Sequence, residues 1–126
     1  MPHYTCKYQG QKIYHFVYHE LVMAARYRGL VTYQEIAKLM GLLLTGGHMA
    51  REVGQILGEI SQDEIANGRT MLSAIVVGVS GEPGDGFYNL AKELGRLHSD
   101  TKEARLLFWE QEKQAVYDAW KIDITG

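Results

Sequence analysis

Five polar side chains between residues 31 and 60 are candidates for contacts with DNA: Tyr33, Gln34, His48, Arg51 and Gln55. Each of them can donate a hydrogen bond. Arginine binds phosphate and guanine, while glutamine, tyrosine and histidine bind phosphate oxygens or base edges. We therefore predict that these side chains form a DNA-binding site and that double-stranded DNA is the partner of this protein.

Two predicted helices, joined by a glycine-containing turn, position these side chains. Thr32 and Glu35 have the spacing of a capping box, which begins the first helix, and Gly41 can end it in a left-handed conformation. This order is typical of a helix-turn-helix, whose second helix can enter a major groove. The alternative is a helix pair that only builds a compact helical core. The second helix has its apolar residues at the spacing of a half-buried helix: Met49, Val53, Ile56, Leu57 and Ile60.

The outward face of the second helix combines the predicted contacts with small residues. Ala50, Gly54 and Gly58 would let this helix approach another surface closely. The net charge of −2, from 13 basic and 15 acidic residues, argues against a general nucleic-acid binder, which normally has a basic surplus. A local basic surface would still allow contact with DNA, because the distribution of charge matters more than its sum.

The glycine-rich loop at residues 81–86 is a second candidate for chemistry. Glycine-rich loops before a helix can bind phosphate through their amides. Here the loop contains Glu82 and Asp85 and no lysine, so an anion would meet two acidic side chains. We therefore interpret the loop as a structural turn.

The histidines offer a third kind of chemistry. His15 and His19 are four residues apart and share a helix face, but two ligands do not make a metal site. No nucleophile and base can be paired from their spacing, so we predict no catalytic residue, no metal and no cofactor. A small hydrolase or nuclease that uses His48, Glu52 or Asp85 stays open as an alternative.

Length and composition indicate one domain over residues 1–126, long enough to bury its own core. The single cysteine, Cys6, forms no disulfide within the chain. No apolar run is long enough to cross a bilayer, and the first residues lack the order of a signal peptide. We therefore expect a cytoplasmic protein without a membrane partner.

Hydrophobic periodicity places the remaining elements. The last predicted helix carries an apolar stripe of Trp109, Val116, Tyr117 and Trp120, which we expect to complete the core of its own domain. The alternative is a homodimer through the C-terminal helix. The other predictions are a helix from about 12 to 28 that ends at Gly29, a brief strand at 30–31, an extension of the second paired helix to about 66, a buried strand at 71–80, a helix after a cap at Asp85, and the last helix at about 101–121.

A resemblance to a known family rests on three segments: VTYQEIAKLMG, MAREVGQIL and the glycine-rich turn that ends in Gly86-Phe87. Roughly residues 31–96 resemble the DNA-binding domain of alkylguanine-DNA alkyltransferases and alkyltransferase-like proteins. The resemblance implies a winged helix-turn-helix that binds the minor groove and flips a nucleotide. It also implies that Tyr33 lies near the DNA backbone and that Arg51 occupies the space of the flipped base.

The chain departs from the family's pattern at three places. Gln34 stands where glycine is usual, and Glu52 follows Arg51 directly. The family's enzymes have a Pro-Cys-His-Arg nucleophile segment, whereas this chain has Leu72–Val77 in that region, without a cysteine. Alkyl transfer is therefore not expected.

The fold class that we predict is α+β: a helix-rich winged-helix-like domain with a small β-sheet, a long C-terminal helix and a helix-turn-helix-like core at about residues 31–96. The predicted function is that of a small non-enzymatic DNA-binding or DNA-associated protein. A protein-interaction module of the same architecture is the main alternative, and the hydrolase or nuclease is a further one.

Overall fold

The chain has the helix-rich α+β architecture that the sequence predicts, in a computed structural model that describes residues 4–44 and 46–121. Within these ranges, no helix combines the length and the apolar character that a bilayer crossing needs. The elements of the described chain are α1 Lys12–Arg26, β1 Val31–Thr32, α2 Tyr33–Leu39, α3 Gly46–Ala66, a 3₁₀ turn at Leu72–Ile75, β2 Val76–Val77, α4 Asp85–Glu93 and α5 Lys102–Trp120.

Helix α1 ends at Arg26, two residues before its predicted end. Arg28 adopts a left-handed conformation with a φ of +56°, and so it cannot continue the helix. The amides of Arg28 and Gly29 bond back to the carbonyls of Ala25 and Ala24, which closes the last turn. The chain then enters β1 one residue later than predicted.

The helix pair at residues 33–66 has the ends that the sequence predicts. The amide of Glu35 donates to the Thr32 hydroxyl at 3.1 Å, which caps α2. Gly41 has a φ of +75° after α2. Helix α3 runs to Ala66, and its inward residues Ile56 and Ile60 are fully buried.

The segment at residues 71–77 corrects the predicted ten-residue strand. Only Val76 and Val77 form a strand, which pairs in parallel with β1, and a 3₁₀ turn precedes it. The reason is that α5 supplies hydrogen-bond partners for this backbone. The indole of Trp109 donates to the carbonyl of Ala74 at 2.8 Å, and the amide of Met71 donates to Glu112 at 2.9 Å. A sheet is therefore not needed to satisfy these groups.

The apolar stripe of α5 completes the core of its own chain, as expected. Trp109, Val116 and Tyr117 are buried. Trp120 is half-buried and meets the ring of Tyr18 edge-on, with 6.2 Å between the centroids. The alternative prediction, a homodimer through this stripe, gains no support, because the stripe is already covered.

Candidate nucleic-acid interface

A pocket of about 300 Å³ lies beside the start of the helix pair. Helices α3 and α4, the residues before α4 and the N-terminal segment enclose it. Its lining is mainly apolar and includes Tyr4, Tyr33, Val53, Leu57, Phe87 and Leu90. This size and character are typical of sites for small ligands or single rings.

Tyr33 connects the start of α2 to the residues before α4. Its hydroxyl accepts a hydrogen bond from the amide of Gly84 at 2.7 Å, just before α4 begins. Its ring lies so close that a Cβ on Gly78 would stand 3.7 Å away. Burial raises the pKa of Tyr33, while the hydrogen bond from Gly84 acts in the opposite direction. The ring is therefore a fixed wall of the pocket.

Ser73 is the buried hydroxyl of the pocket. Its Oγ lies 2.7 Å from the Oγ of Ser61, and its amide donates to the same Ser61 oxygen. Activation of a serine nucleophile needs an adjacent base, and the described lining contains no histidine. Ser73 is therefore paired with Ser61 at the wall of the pocket.

Residues 4–9, the N-terminal strap, lie across α3 and cover much of its outward face. The carboxylate of Glu59, which is 4% exposed, accepts from the backbone amides of Lys7, Tyr8 and Gln9 at 3.0 Å. The side chain of Gln55 donates to Glu59 as well, at 2.7 Å. One buried carboxylate thus holds the strap against α3.

A second set of contacts holds the strap near Glu52. Lys7 forms an ion pair with the Glu52 carboxylate, and the Tyr8 hydroxyl donates to it. The hydrogen bond from Lys7, followed by that from Tyr8, lowers the pKa of Glu52. This acid is therefore paired within the chain.

Two expectations about α3 change with the strap in place. Gly58 does admit a close surface, but that surface is the ring of Tyr4, whose atoms would lie 2.4–2.6 Å from a Cβ on Gly58. Gln55 donates to the carbonyl of Thr5 at 2.7 Å in addition to Glu59. Its role in DNA binding stays a prediction, and one that requires the strap to move.

The remaining predicted contacts lie on the first turns of α2 and of α3. His48 and Arg51 are exposed on the first turns of α3, and Arg51 has no ion pair with a described residue. Gln34 is exposed on α2 and donates at 3.5 Å to the carbonyl of Leu44 in the connecting turn. Tyr33 is adjacent to Gln34 and faces the pocket.

Of the other sequence candidates, Asp85 lies in the lining of the pocket, whereas the histidines of α1 do not line it. Asp85 pairs with Arg105 at 3.0 Å, which fits the interpretation of residues 81–86 as a structural turn. His15 and His19 are exposed on α1, and no group of three or more metal-binding side chains occurs among residues 4–44 and 46–121. The strap itself was missed because nothing in residues 4–9 has helical or strand periodicity.

Comparison with known proteins leaves the site to be interpreted from its own geometry. No protein-family model matches this chain, and no curated protein or solved structure does so either.

Proposed function

We propose that this is a small, non-enzymatic DNA-binding protein of winged-helix type that receives an unpaired base in its pocket. The observation that carries the proposal is the position of the pocket. It is lined by Tyr33 and by the first turns of α3, where Arg51 is exposed and unpaired among the described residues. A base that leaves the duplex beside this surface would enter an apolar, aromatic-lined space.

The local charge supports contact with phosphate despite the net negative charge. Lys7 pairs with Glu52 beside the strap, and Arg105, which also binds Asp100, pairs with Asp85 in the pocket lining. The charge of Arg51 is available to bind a phosphate, and its side chain is available to fill the gap that a displaced base leaves in the stack. Longer-range repulsion from the other acids makes the binding weak, and the small number of phosphate contacts gives it a modest dependence on salt.

The strap supports contact through the start of α3 rather than along its whole length. A recognition helix in a major groove presents several turns to the bases. Here the strap covers α3 from Glu52 to Gln62. The exposed first turns agree better with the minor-groove mode that the resemblance implies.

The pocket lining supports a neutral, planar guest. Rings of Tyr33 and Phe87 and aliphatic side chains make most of the wall, and bases bind well to such surfaces by stacking. An ionised group would lose its hydration there without a paired charge, which is costly.

The proposal is tested by a salt-titrated binding assay with two duplexes that differ only in one unpaired base. We expect tighter binding to the duplex with the unpaired base.

Arg51→Ala should weaken binding to both duplexes and leave the thermal melt nearly unchanged, since the side chain is exposed. Lys12→Ala is the charge-matched control, because Lys12 is also exposed and has no ion pair with a described residue. Undetectable binding by the parent protein at low salt would remove the DNA proposal.

Gly54 offers a direct test of the pocket. A Cβ on Gly54 meets nothing within 4 Å, and Gly54 lines the pocket. Gly54→Leu should fill the space without harming α3, and it should abolish the preference for the unpaired base. Gly54→Ala is the matched control, because it gives the same gain in helix propensity but leaves most of the volume open.

A protein-interaction module is a second candidate, favoured by exposed leucines around the α2–α3 turn. Leu43 is 82% exposed, and Leu39 and Leu44 are also exposed. Apolar side chains grouped on a surface are a common feature of protein interfaces. If Leu43→Glu changes the sedimentation of the protein while Arg51→Ala changes nothing in DNA binding, this second function is the better one.

A further inference from the structure

We propose that Tyr4, carried by the N-terminal strap, is a specificity-determining residue of the pocket, where its ring stacks on the bound base. This inference rests on the proposed function, since it names a residue that selects the same guest. Tyr4 is remote in sequence from the helix pair and lies outside the segments that carry the family resemblance.

The ring of Tyr4 lines the pocket on the side of α3. It lies directly on Gly58, where a Cβ would stand 2.4 Å from the ring. Burial, and next the charge of Glu93, raises the pKa of Tyr4. The ring therefore forms one side of the pocket, packed on α3.

The strap holds this ring in place before any ligand arrives. The amide of Tyr4 donates to the side chain of Gln62 at 2.7 Å. Further along the strap, the amides from Lys7 to Gln9 donate to the carboxylate of Glu59. A wall that is already ordered costs no conformational entropy when the ligand binds. Because the pocket volume of about 300 Å³ exists with Tyr4 in position, the ring does not have to leave to admit a guest.

An aromatic ring at this position favours planar guests over other apolar ones. Stacking on an aromatic side chain strengthens binding of a base about 10-fold or more, by comparison with alanine. Leucine at the same position would keep the apolar contact with Gly58 but would lack the flat face. Selectivity for the unpaired base should therefore depend on the ring and not on the hydroxyl.

The experiment compares the preference for the duplex with an unpaired base over the fully paired duplex. Tyr4→Ala and Tyr4→Leu should each reduce this preference about 10-fold, with affinity for the paired duplex unchanged. Tyr4→Phe should keep it. Tyr8→Phe is the matched control on the strap, because Tyr8 contacts Glu52 and does not line the pocket.

Gly58→Ala gives a second, independent displacement of the ring. Alanine is a better helix former than glycine, so α3 should remain intact while the added Cβ pushes Tyr4 away. The preference should fall as it does in Tyr4→Ala. Hydrogen exchange at the amides of residues 7–9 shows in each variant whether the strap stays docked.

The outcomes separate this inference from the proposed function. If the parent protein shows no preference for the unpaired base, both the pocket function and the role of Tyr4 are wrong. If the parent shows the preference and Tyr4→Leu keeps it with the strap docked, the role of Tyr4 is wrong and the function stands. Loss of preference in Tyr8→Phe to the same extent, with the amides of residues 7–9 still protected, would likewise overturn a specific role for Tyr4.

Discussion

Glu59 shows how one side chain can organise a surface. Glu59 lies in the middle of α3, yet its carboxylate accepts hydrogen bonds from backbone amides that are 50 to 52 residues away in the sequence. Hydrogen bonds to an ionised acceptor are stronger than those between neutral groups, which makes a short segment without secondary structure stay in place. Thr32 and Tyr8 are two further single residues with local effects: Thr32 caps α2, and Tyr8 binds the strap to Glu52.

Thr32→Ala should lower the free energy of unfolding by about 1 kcal/mol, because the amide of Glu35 loses the hydroxyl that caps α2. Urea denaturation of the parent and the variant measures the difference. Thr101→Ala is a matched comparison, since Thr101 caps α5 through the amide of Ala104. An unchanged midpoint for Thr32→Ala would mean that this cap does not stabilise the fold.

The Tyr8 phenol should titrate at about pH 12 instead of 10, because of burial and, next, its hydrogen bond to Glu52. A raised pKa in the folded state means that the neutral phenol stabilises docking fully below pH 10, and that this stabilisation is lost as the pH rises through 12. The phenolate absorbance of the parent minus that of Tyr8→Phe isolates this group. A midpoint close to 10 in the difference curve would contradict the docked geometry.

At the scale of elements, the strap and α3 behave as one unit. The strap has no regular structure of its own and buries little apolar surface apart from Tyr4 and Tyr8. Its stability must therefore come from the side chains of α3, mainly Glu59 and Gln55.

Glu59→Ala should release the strap and cost about 2 kcal/mol of stability, since several hydrogen bonds to one charged acceptor are lost together. Amide hydrogen exchange should show loss of protection at residues 7–9, while the amides of α5 stay protected. Glu103→Ala, an exposed acid on α5, is the control and should change neither quantity. Retained protection in Glu59→Ala would show that other contacts hold the strap.

Local signals predicted the elements whose ends are determined by nearby residues. Thr32, Gly41 and Thr101 act within one turn of the helices that they bound, so their effect can be seen in the sequence. The 3₁₀ turn before β2 depends on Trp109 and Glu112, which lie 35 and 41 residues further along the chain. Periodicity alone cannot reveal such partners. The start of the helix pair was therefore predictable, whereas the strap and the pocket were not.

At the scale of the whole molecule, the last residue of α5, Trp120, connects parts of the chain that are remote in sequence. Trp120 contacts Tyr18 of α1, and the guanidinium of Arg69 lies 5.6 Å from the centre of its ring. These contacts use the ring of Trp120 within the chain.

Trp120→Glu should therefore lower the stability by about 2 kcal/mol without changing the mass measured by sedimentation equilibrium. Leu107→Glu is the control on the same helix, because Leu107 is exposed and its replacement should leave the stability unchanged. A parent dimer that dissociates in Trp120→Glu with unchanged stability would contradict this view of α5.

The central claim, that DNA is bound at the start of α3 with an unpaired base in the pocket, is tested most directly by chemical-shift mapping in NMR. A duplex with one unpaired base is titrated at low salt into the parent protein and into Gly54→Leu. The predicted result is a set of amide shift changes at Arg51, Gly54, Gly84 and Gly86 in the parent, reduced to those near Arg51 when the pocket is filled. An absence of shift changes, or changes confined to the exposed face of α5, would contradict the claim.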